Sequence, residues 1–348
     1  MKMTARDIRG FLSGEPFVLF HRPGDELAEL WLQKDNDLHA DPHFEVDGFY
    51  VHPLHKDGLP VALIPRERAH IIRFPLAQWE MPEAGPLPPA RGGTTAGQHQ
   101  SRVQAALDAI GTGKLQKVVV AGYRDYPPAG WDAVATFMRL ALTYPQSFVF
   151  LWHHPAHTQL LAASPEVLVR IDGHFGLTYS LAGTKTTGRP WTDKERNEQK
   201  IVTDYIIRRL LSRGWTLSQD GPHDHRQGHL THLRTDIRFI LDQPGKALTK
   251  VLRALHPTPA VVGLPKEDAL QWIGEHEDFD RRYYTGFFGI KEDEQAEFYV
   301  NLRSLEATGQ RIRLYAGGGI VAGSRPEDEW REVQHKTGIL ATHLVYGQ

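Results

Sequence analysis

The chain has 348 residues, 41% of them hydrophobic, and sets 40 lysines and arginines against 42 aspartates and glutamates, a formal net charge of -2. That balance gives no general electrostatic drive toward nucleic acid or an anionic membrane, so any anion must be held by a local arrangement. The absence of cysteine excludes disulfides, thiolate metal sites and a cysteine nucleophile, and the length admits one large domain or two ordinary ones.

Residues 1–22 contain acids and no long apolar centre, so no signal peptide is expected, nor is any apolar run long enough to span a bilayer; the expected location is the cytoplasm. Short strands are expected at 16–20 and 60–64, and the Pro, Gly and Thr clusters of 82–97 read as a connecting loop. Residues 98–110 have helical periodicity. Further strands are expected at 117–121, 147–152, 160–163 and 167–171, and helices at 131–143, 193–212 and 247–255. A strand pair at 286–290 and 296–305, then a strand at 311–316, completes a mixed α+β pattern. Gly317, Gly318 and Gly319 read as a glycine-lined turn leading into a C-terminal helix. No internal repeat or low-complexity tract interrupts the chain.

Two of these helices carry acids three residues apart. Glu195 and Glu198 form one pair; Glu329 and Glu332 form the other, with Lys336 four residues later, so each set projects from one helix face. Facing each other, the pairs would make a hard oxygen cage suited to Mg²⁺ rather than zinc, although such pairs more often sit on solvated faces. Gly317, Gly319 and Ala322 fit a dinucleotide-binding pattern after a strand, but Gly323, Ser324 and Pro326 postpone the helix it requires. Gly111-Thr-Gly-Lys114 resembles the end of a phosphate-binding loop, yet Asp108 and Leu115 stand where glycine and Ser/Thr are needed. His223, His225 and His229 crowd a turn-rich stretch with no zinc spacing and read as solvated loop histidines. Ser164 lies outside a Gly-x-Ser-x-Gly elbow, which leaves a serine nucleophile without support.

Several blocks then act together: Leu115-Gln-Lys-Val-Val-Val120, Ser164-Pro-Glu-Val-Leu168, Ser180-Leu-Ala-Gly-Thr184, Leu255-His-Pro-Thr-Pro-Ala-Val-Val-Gly-Leu-Pro265 and Tyr284-Thr-Gly286. With the two acidic helices, in this order, they resemble the chorismate-utilising enzymes, which include isochorismate, salicylate, anthranilate and aminodeoxychorismate synthases. The resemblance runs from about residue 100 to the C-terminus. It implies an α+β chorismate-binding fold similar to anthranilate synthase component I, two layered antiparallel sheets flanked by helices. One domain, 1–348, is expected, with 1–97 a variable part of the sheet scaffold and 98–348 the catalytic region.

The same resemblance implies chorismate as small-molecule substrate and Mg²⁺ as cofactor. Lys117 would activate water for attack at C2 of the ring, and Glu166 would protonate the departing C4 hydroxyl. Glu198 and Glu332 would bind the metal directly, with Glu195 and Glu329 acting through water or orienting the ligands. Arg303, Tyr284 and Lys336, with the backbone of Gly317, Gly318 and Gly319, would hold the enolpyruvyl carboxylate. Gly183 and Thr184 would border the ring, and His232 and Ala260 would face the substrate. Anthranilate synthases carry glutamine where Lys117 stands, aminodeoxychorismate synthases lysine where Ala182 stands, and salicylate synthases threonine where Ala260 stands. These departures imply an isochorismate synthase using water, with no covalent intermediate and no glutaminase subunit. A salicylate synthase is the alternative, and a catalytically silent partner subunit a further one. A monomer is expected, or else a homodimer; whether the product feeds menaquinone, a siderophore or salicylate is left open.

Overall fold

The computed structural model describes residues 2–347 except 56, 57, 187, 228 and 229, and not the side chains of 184, 186, 227, 230 and 244–246. The expected ring contact of Thr184 and the reading of His229 therefore lie outside the described residues. Among the described residues the strands form two antiparallel sheets. The first runs, in neighbour order, Gly263–Leu264, Lys117–Tyr126, Ile312–Ile320, Ser304–Ala307, Gln159–Ser164, Phe148–His153, Phe17–His21, Leu27–Gln33 and Ala69–Pro75, with Gly92–Gly93 also on Lys117–Tyr126. The second runs Leu217–Gln227, Leu230–Ile240, Phe175–Thr186, Val167–Asp172, Gln295–Val300, Phe287–Glu292, Gly48–His52, Ala62–Pro65 and His39–Ala40. Strands from the first 97 residues thus sit in both sheets.

The apolar runs explain the layering. Strand Phe17–His21 is buried along its whole length: Val18 and Phe20 face the second sheet, while Phe17 and Leu19 face the outer layer with helix Ala133–Thr143, the two-residue alternation of a strand. Between the sheets, Phe20, Phe148 and Phe150 interleave with Phe49, Phe288 and Tyr299, the Phe150 and Phe288 rings lying 4.2 Å apart. Each such ring contributes roughly 1.5–3 kcal/mol through burial. Helices Asp193–Leu211, Pro244–Leu255 and Lys266–His276 join the second large core. Helix Ala96–Gly111 starts where Thr95 and Gln98 close a capping box, and it packs on helix Pro326–Ala341 with His99 5.3 Å from Trp330.

One guanidinium ties the sheets together. Arg22, just after Phe17–His21, donates to Glu29 of the first sheet at 2.8 Å and to Glu297 of the second at 2.6 Å, with Glu292 at 3.7 Å.

Several expectations need correcting. Gly317, Gly318 and Gly319 are not a turn but the middle of strand Ile312–Ile320, in register with Ala121, Val120 and Val119. The glycines serve space there, as none has a left-handed φ. His223 and His225 lie in strand Leu217–Gln227 rather than a loop, because a long hairpin with Leu230–Ile240 carries the turn-forming residues along its edge. The expected strand 296–305 is two strands in different sheets, Gln295–Val300 and Ser304–Ala307, with Arg303 at φ 47° between them. Helix Lys266–His276 was not anticipated, although Ala269, Trp272 and Ile273 give it a buried stripe. The loop expected at 82–97 contains strand Gly92–Gly93. Among the described residues no helix is long and apolar enough to cross a membrane.

Candidate active site

The chain steps between the sheets twice at one place. Gln159–Ser164 belongs to the first sheet and Val167–Asp172 to the second, with Glu166 on the step; Gln295–Val300 and Ser304–Ala307 make the return step, with Arg303 on it. The crossings are stitched together. The Val300 amide donates to the Glu166 carbonyl at 2.9 Å, the Ala163 amide to the Arg303 carbonyl at 3.2 Å, and the Ser164 hydroxyl to the Val300 carbonyl at 2.6 Å. A carboxyl and a guanidinium are thereby fixed beside a cavity of about 140 Å³.

The first sheet supplies one wall. Lys117 and Val119 face the cavity on alternate positions of their strand, while Val118 and Val120 turn into the core behind it. Beside them, Gly317 and Gly319 line the cavity. A methyl group at 319 would overlap the Glu198 carboxylate, and one at 317 would lie 3.1 Å from the Tyr284 hydroxyl. Gly318, by the same alternation, faces the other way, toward Glu329 and Val333 of the C-terminal helix. Behind this wall, buried Arg281 pairs with Glu277 and donates to the carbonyls of Val119 and Val261 at 2.7 and 2.9 Å. That couples the lysine strand to the loop bearing Ala260.

The second sheet supplies Leu181, Ala182 and Gly183, with His232 across the ladder. A register shift falls at Gly183, whose φ of 74° suits glycine; a Cβ there would meet the Glu195 carbonyl at 2.8 Å. The bulge thus admits the first turn of helix Asp193–Leu211.

The acids come from two helices, and each already has a partner. Glu198 takes the Lys117 ammonium at 2.9 Å, Glu329 takes Lys194 at 2.6 Å, and Glu332 takes Lys336 at 2.7 Å. Lys336 also donates to the Gly317 carbonyl at 3.0 Å. Glu195 accepts from the Thr192 amide at 2.9 Å, closing the capping box of its helix. Glu329 lies behind the cavity wall, 1% exposed, whereas Glu195, Glu198 and Glu332 line it.

Burial and these cations set the charge states. Burial pushes the Glu166 carboxyl up to about 7, against the opposing pull of Lys117, Lys336 and Arg303. Burial likewise raises Glu329 despite Lys194; in Glu332 burial also pushes up, but Lys336, aided by Lys194, holds the group below the usual carboxylate range. Burial, then Lys336 and Arg303, depress His232 to about 3, so it is neutral. Burial lifts Tyr284 to about 12, and its ring stacks on Tyr315 at 5.1 Å.

Of the residues singled out from sequence, the cavity gathers Lys117, Glu166, Gly183, Glu195, Glu198, His232, Ala260, Tyr284, Arg303, Gly317, Gly319, Glu332 and Lys336. Gly318 and Glu329 stand outside it, facing each other. Sequence reasoning missed Lys194, although its four-residue spacing from Glu198 puts both on one helix face, and Tyr315, which follows the strand alternation to Gly317.

The sandwich with a two-crossing cleft is the fold of anthranilate synthase component I. The Streptococcus pneumoniae protein of that name superposes with a TM-score of 0.69 at 17% identity, over 93% of this chain and 90% of its own, a likeness of fold alone. Residues 89–345 match the family of chorismate binding enzymes, and the chain belongs to that family. It is 34% identical over 282 residues to isochorismate synthase MenF of Escherichia coli (strain K12), covering 74% of this chain and 64% of that one. The solved structure of the Escherichia coli MenF superposes with a TM-score of 0.77 at 25% identity, over 94% and 88% of the two chains. The salicylate biosynthesis isochorismate synthase of Pseudomonas aeruginosa is 34% identical over 278 residues, 75% of this chain and 58% of that one. The chain thus matches less than two thirds of the length of either relative in sequence.

Proposed function

We propose that the protein is an isochorismate synthase, and the observation that carries this reading is the placement of a lysine amine and a protonatable glutamic acid on one cavity walled by cations. A dianion entering it meets Arg303 and Lys336, groups suited to a carboxylate, with Gly317 and Gly319 leaving room for close approach. Lys117 takes a proton from water as the oxygen adds to C2 of the ring. Glu166 delivers one to the C4 hydroxyl, which leaves as water, so one water enters and one departs. A carboxyl raised to about 7 still holds its proton in a useful fraction of molecules at neutral pH. Lys117 acts on water only as the neutral amine, after it has let go of Glu198 and lost its ammonium proton to solvent.

The donor set fits a magnesium ion. Glu198 and Glu332 approach the cavity from separate helices, no sulfur lines it among the described residues, its one imidazole is His232, and lysines already stand against these acids where positive charge is wanted. Glu198 and Glu332 would hold the ion, with Glu195 and Glu329 supporting it; when bound it would neutralise the ring carboxylate and draw charge from the ring. Gly319 leaves the space in which the Glu198 carboxylate sits.

Ala260 on the lining, where salicylate synthases present threonine, favours stopping at isochorismate. Lys117 in place of glutamine favours water over ammonia, so no glutaminase partner is required. The test is a chromatographic product assay with chorismate, with Mg²⁺ or EDTA and with ammonium added. Isochorismate alone, lost with EDTA, supports the reading. Salicylate with pyruvate moves it to the lyase branch, anthranilate overturns the water assignment, and no turnover favours a silent subunit.

A further inference from the structure

A second cavity, of about 720 Å³, adjoins the first, and the two share Pro165, Arg303 and Ile339 as common wall. Among the described residues its lining includes Arg170, Arg226, Arg234 and Arg303 and no aspartate or glutamate. The larger groove of about 1050 Å³, which shares Arg170 with it, sets the contrast: there Asp25, Glu29, Asp172, Glu292 and Glu297 stand among the arginines on the lining itself. In the adjoining cavity the arginines are held in place. Arg234 pairs with Asp236 at 2.6 Å and lies 3.5 Å from the centre of the Tyr179 ring, and Arg170 donates to the Tyr299 hydroxyl at 2.6 Å. Arg226 is exposed at the end of strand Leu217–Gln227.

We propose that this cavity is an antechamber that collects the dianionic substrate and passes it across Arg303 into the reaction cavity, with Arg226 at its outer rim as a positioning residue. The inference rests on the chorismate reading above. A charged cleft with low-dielectric walls raises the local concentration of an oppositely charged ligand. The guanidinium of Arg234, stacked on Tyr179, and that of Arg170, held by Tyr299, stay charged and oriented without folding onto the ligand. Because Arg303 belongs to both cavities, a carboxylate handed inward keeps a guanidinium partner throughout.

The test compares wild type with Arg226→Glu and Arg226→Lys, measuring turnover and direct calorimetric binding of chorismate at about 20 and about 500 mM salt. At low salt Arg226→Glu is expected to raise KM and the dissociation constant roughly three- to tenfold with kcat unchanged, since surface charges act over about 10 Å at 0.1 M salt and less above it. At high salt the gap closes, and Arg226→Lys behaves as wild type at both. An unchanged KM at low salt, a gap that persists at high salt, or a fall in kcat alone would overturn the proposal. Salt-sensitive binding without turnover in wild type would sink the catalytic reading and leave the antechamber standing. Turnover without a salt-sensitive gap does the reverse, and neither binding nor turnover removes both.

Discussion

Replacing Gly319 with alanine separates folding from function. The added methyl would overlap the Glu198 carboxylate and lie 2.8 Å from Cε and 3.2 Å from Nζ of Lys117, where ordinary contact begins at 3.4 Å. Glu198 must therefore retreat by about an ångström, and Lys117 by about half that. These atoms lie at the ends of two flexible side chains, so the fold can yield. The overpacking cost of about 1–3 kcal/mol is offset in part by the 0.4–1 kcal/mol typically gained when alanine replaces glycine at a permitted φ. A net loss of about 1–2 kcal/mol is expected, measurable as the urea midpoint with unchanged slope. Turnover should suffer far more, because an ångström of misplacement at a reacting group costs roughly a hundredfold. The assay is steady-state isochorismate formation over a magnesium series. Activity within threefold of wild type at unchanged magnesium demand would refute the assignment of Lys117 and Glu198 to the chemistry.

The Glu166 acid must be protonated to act, a condition met below about pH 7 and lost above it, so kcat/KM should fall tenfold per unit on the alkaline side, and Glu166→Gln should lose roughly 10²–10⁴ in rate. The folded-state value of about 7 also exceeds the ordinary 4.5, so this group's contribution to stability is present at acid pH and disappears as pH rises through 7; Glu166→Gln should flatten that part of a stability-against-pH curve. Glu332→Gln should raise the magnesium concentration for half-maximal turnover at least tenfold, and an unshifted magnesium titration would remove Glu332 from the metal site. EDTA should abolish turnover while moving Tm by only a few degrees, because Lys117, Lys194 and Lys336 already neutralise the acids; cooperative unfolding on chelation would contradict that balance. Arg281→Ala should cost about 3–5 kcal/mol, read from denaturant unfolding, by leaving buried Glu277 and two carbonyls without their partner.

Most of the long helices were legible, since apolar periodicity and glutamate spacing act over three or four positions, whereas the caps Thr95 and Asp132 that start two of them were not read as such. What the sequence hid was chiefly long-range. Nothing local distinguishes a glycine needed for its φ from one needed for empty space, and Gly317, Gly318 and Gly319 were read as a turn for that reason. The apolar alternation of Phe298, Val300 and Leu302 carries past the end of the first strand at Val300, so the break around Arg303, which comes from the crossing to the other sheet, is not marked locally. The motif residues were recognisable by resemblance, but the pairing of Glu198 with Lys117 and of Glu329 with Lys194 was not, because the partners lie 81 and 135 positions apart on different elements.

The reaction cavity is bounded by two plates: Lys117, Gly317 and Gly319 ride on one, Gly183 and His232 on the other. Their separation is governed partly by the aromatic filling and by Arg22, which grips both plates at a point remote from the chemistry. Gap width is then a tunable dimension of the molecule. Changes in the filling, such as a smaller ring at Phe150 or Phe288, would act as a thickness adjustment, altering which nucleophiles and ring conformers the gap accommodates without touching any residue that lines it.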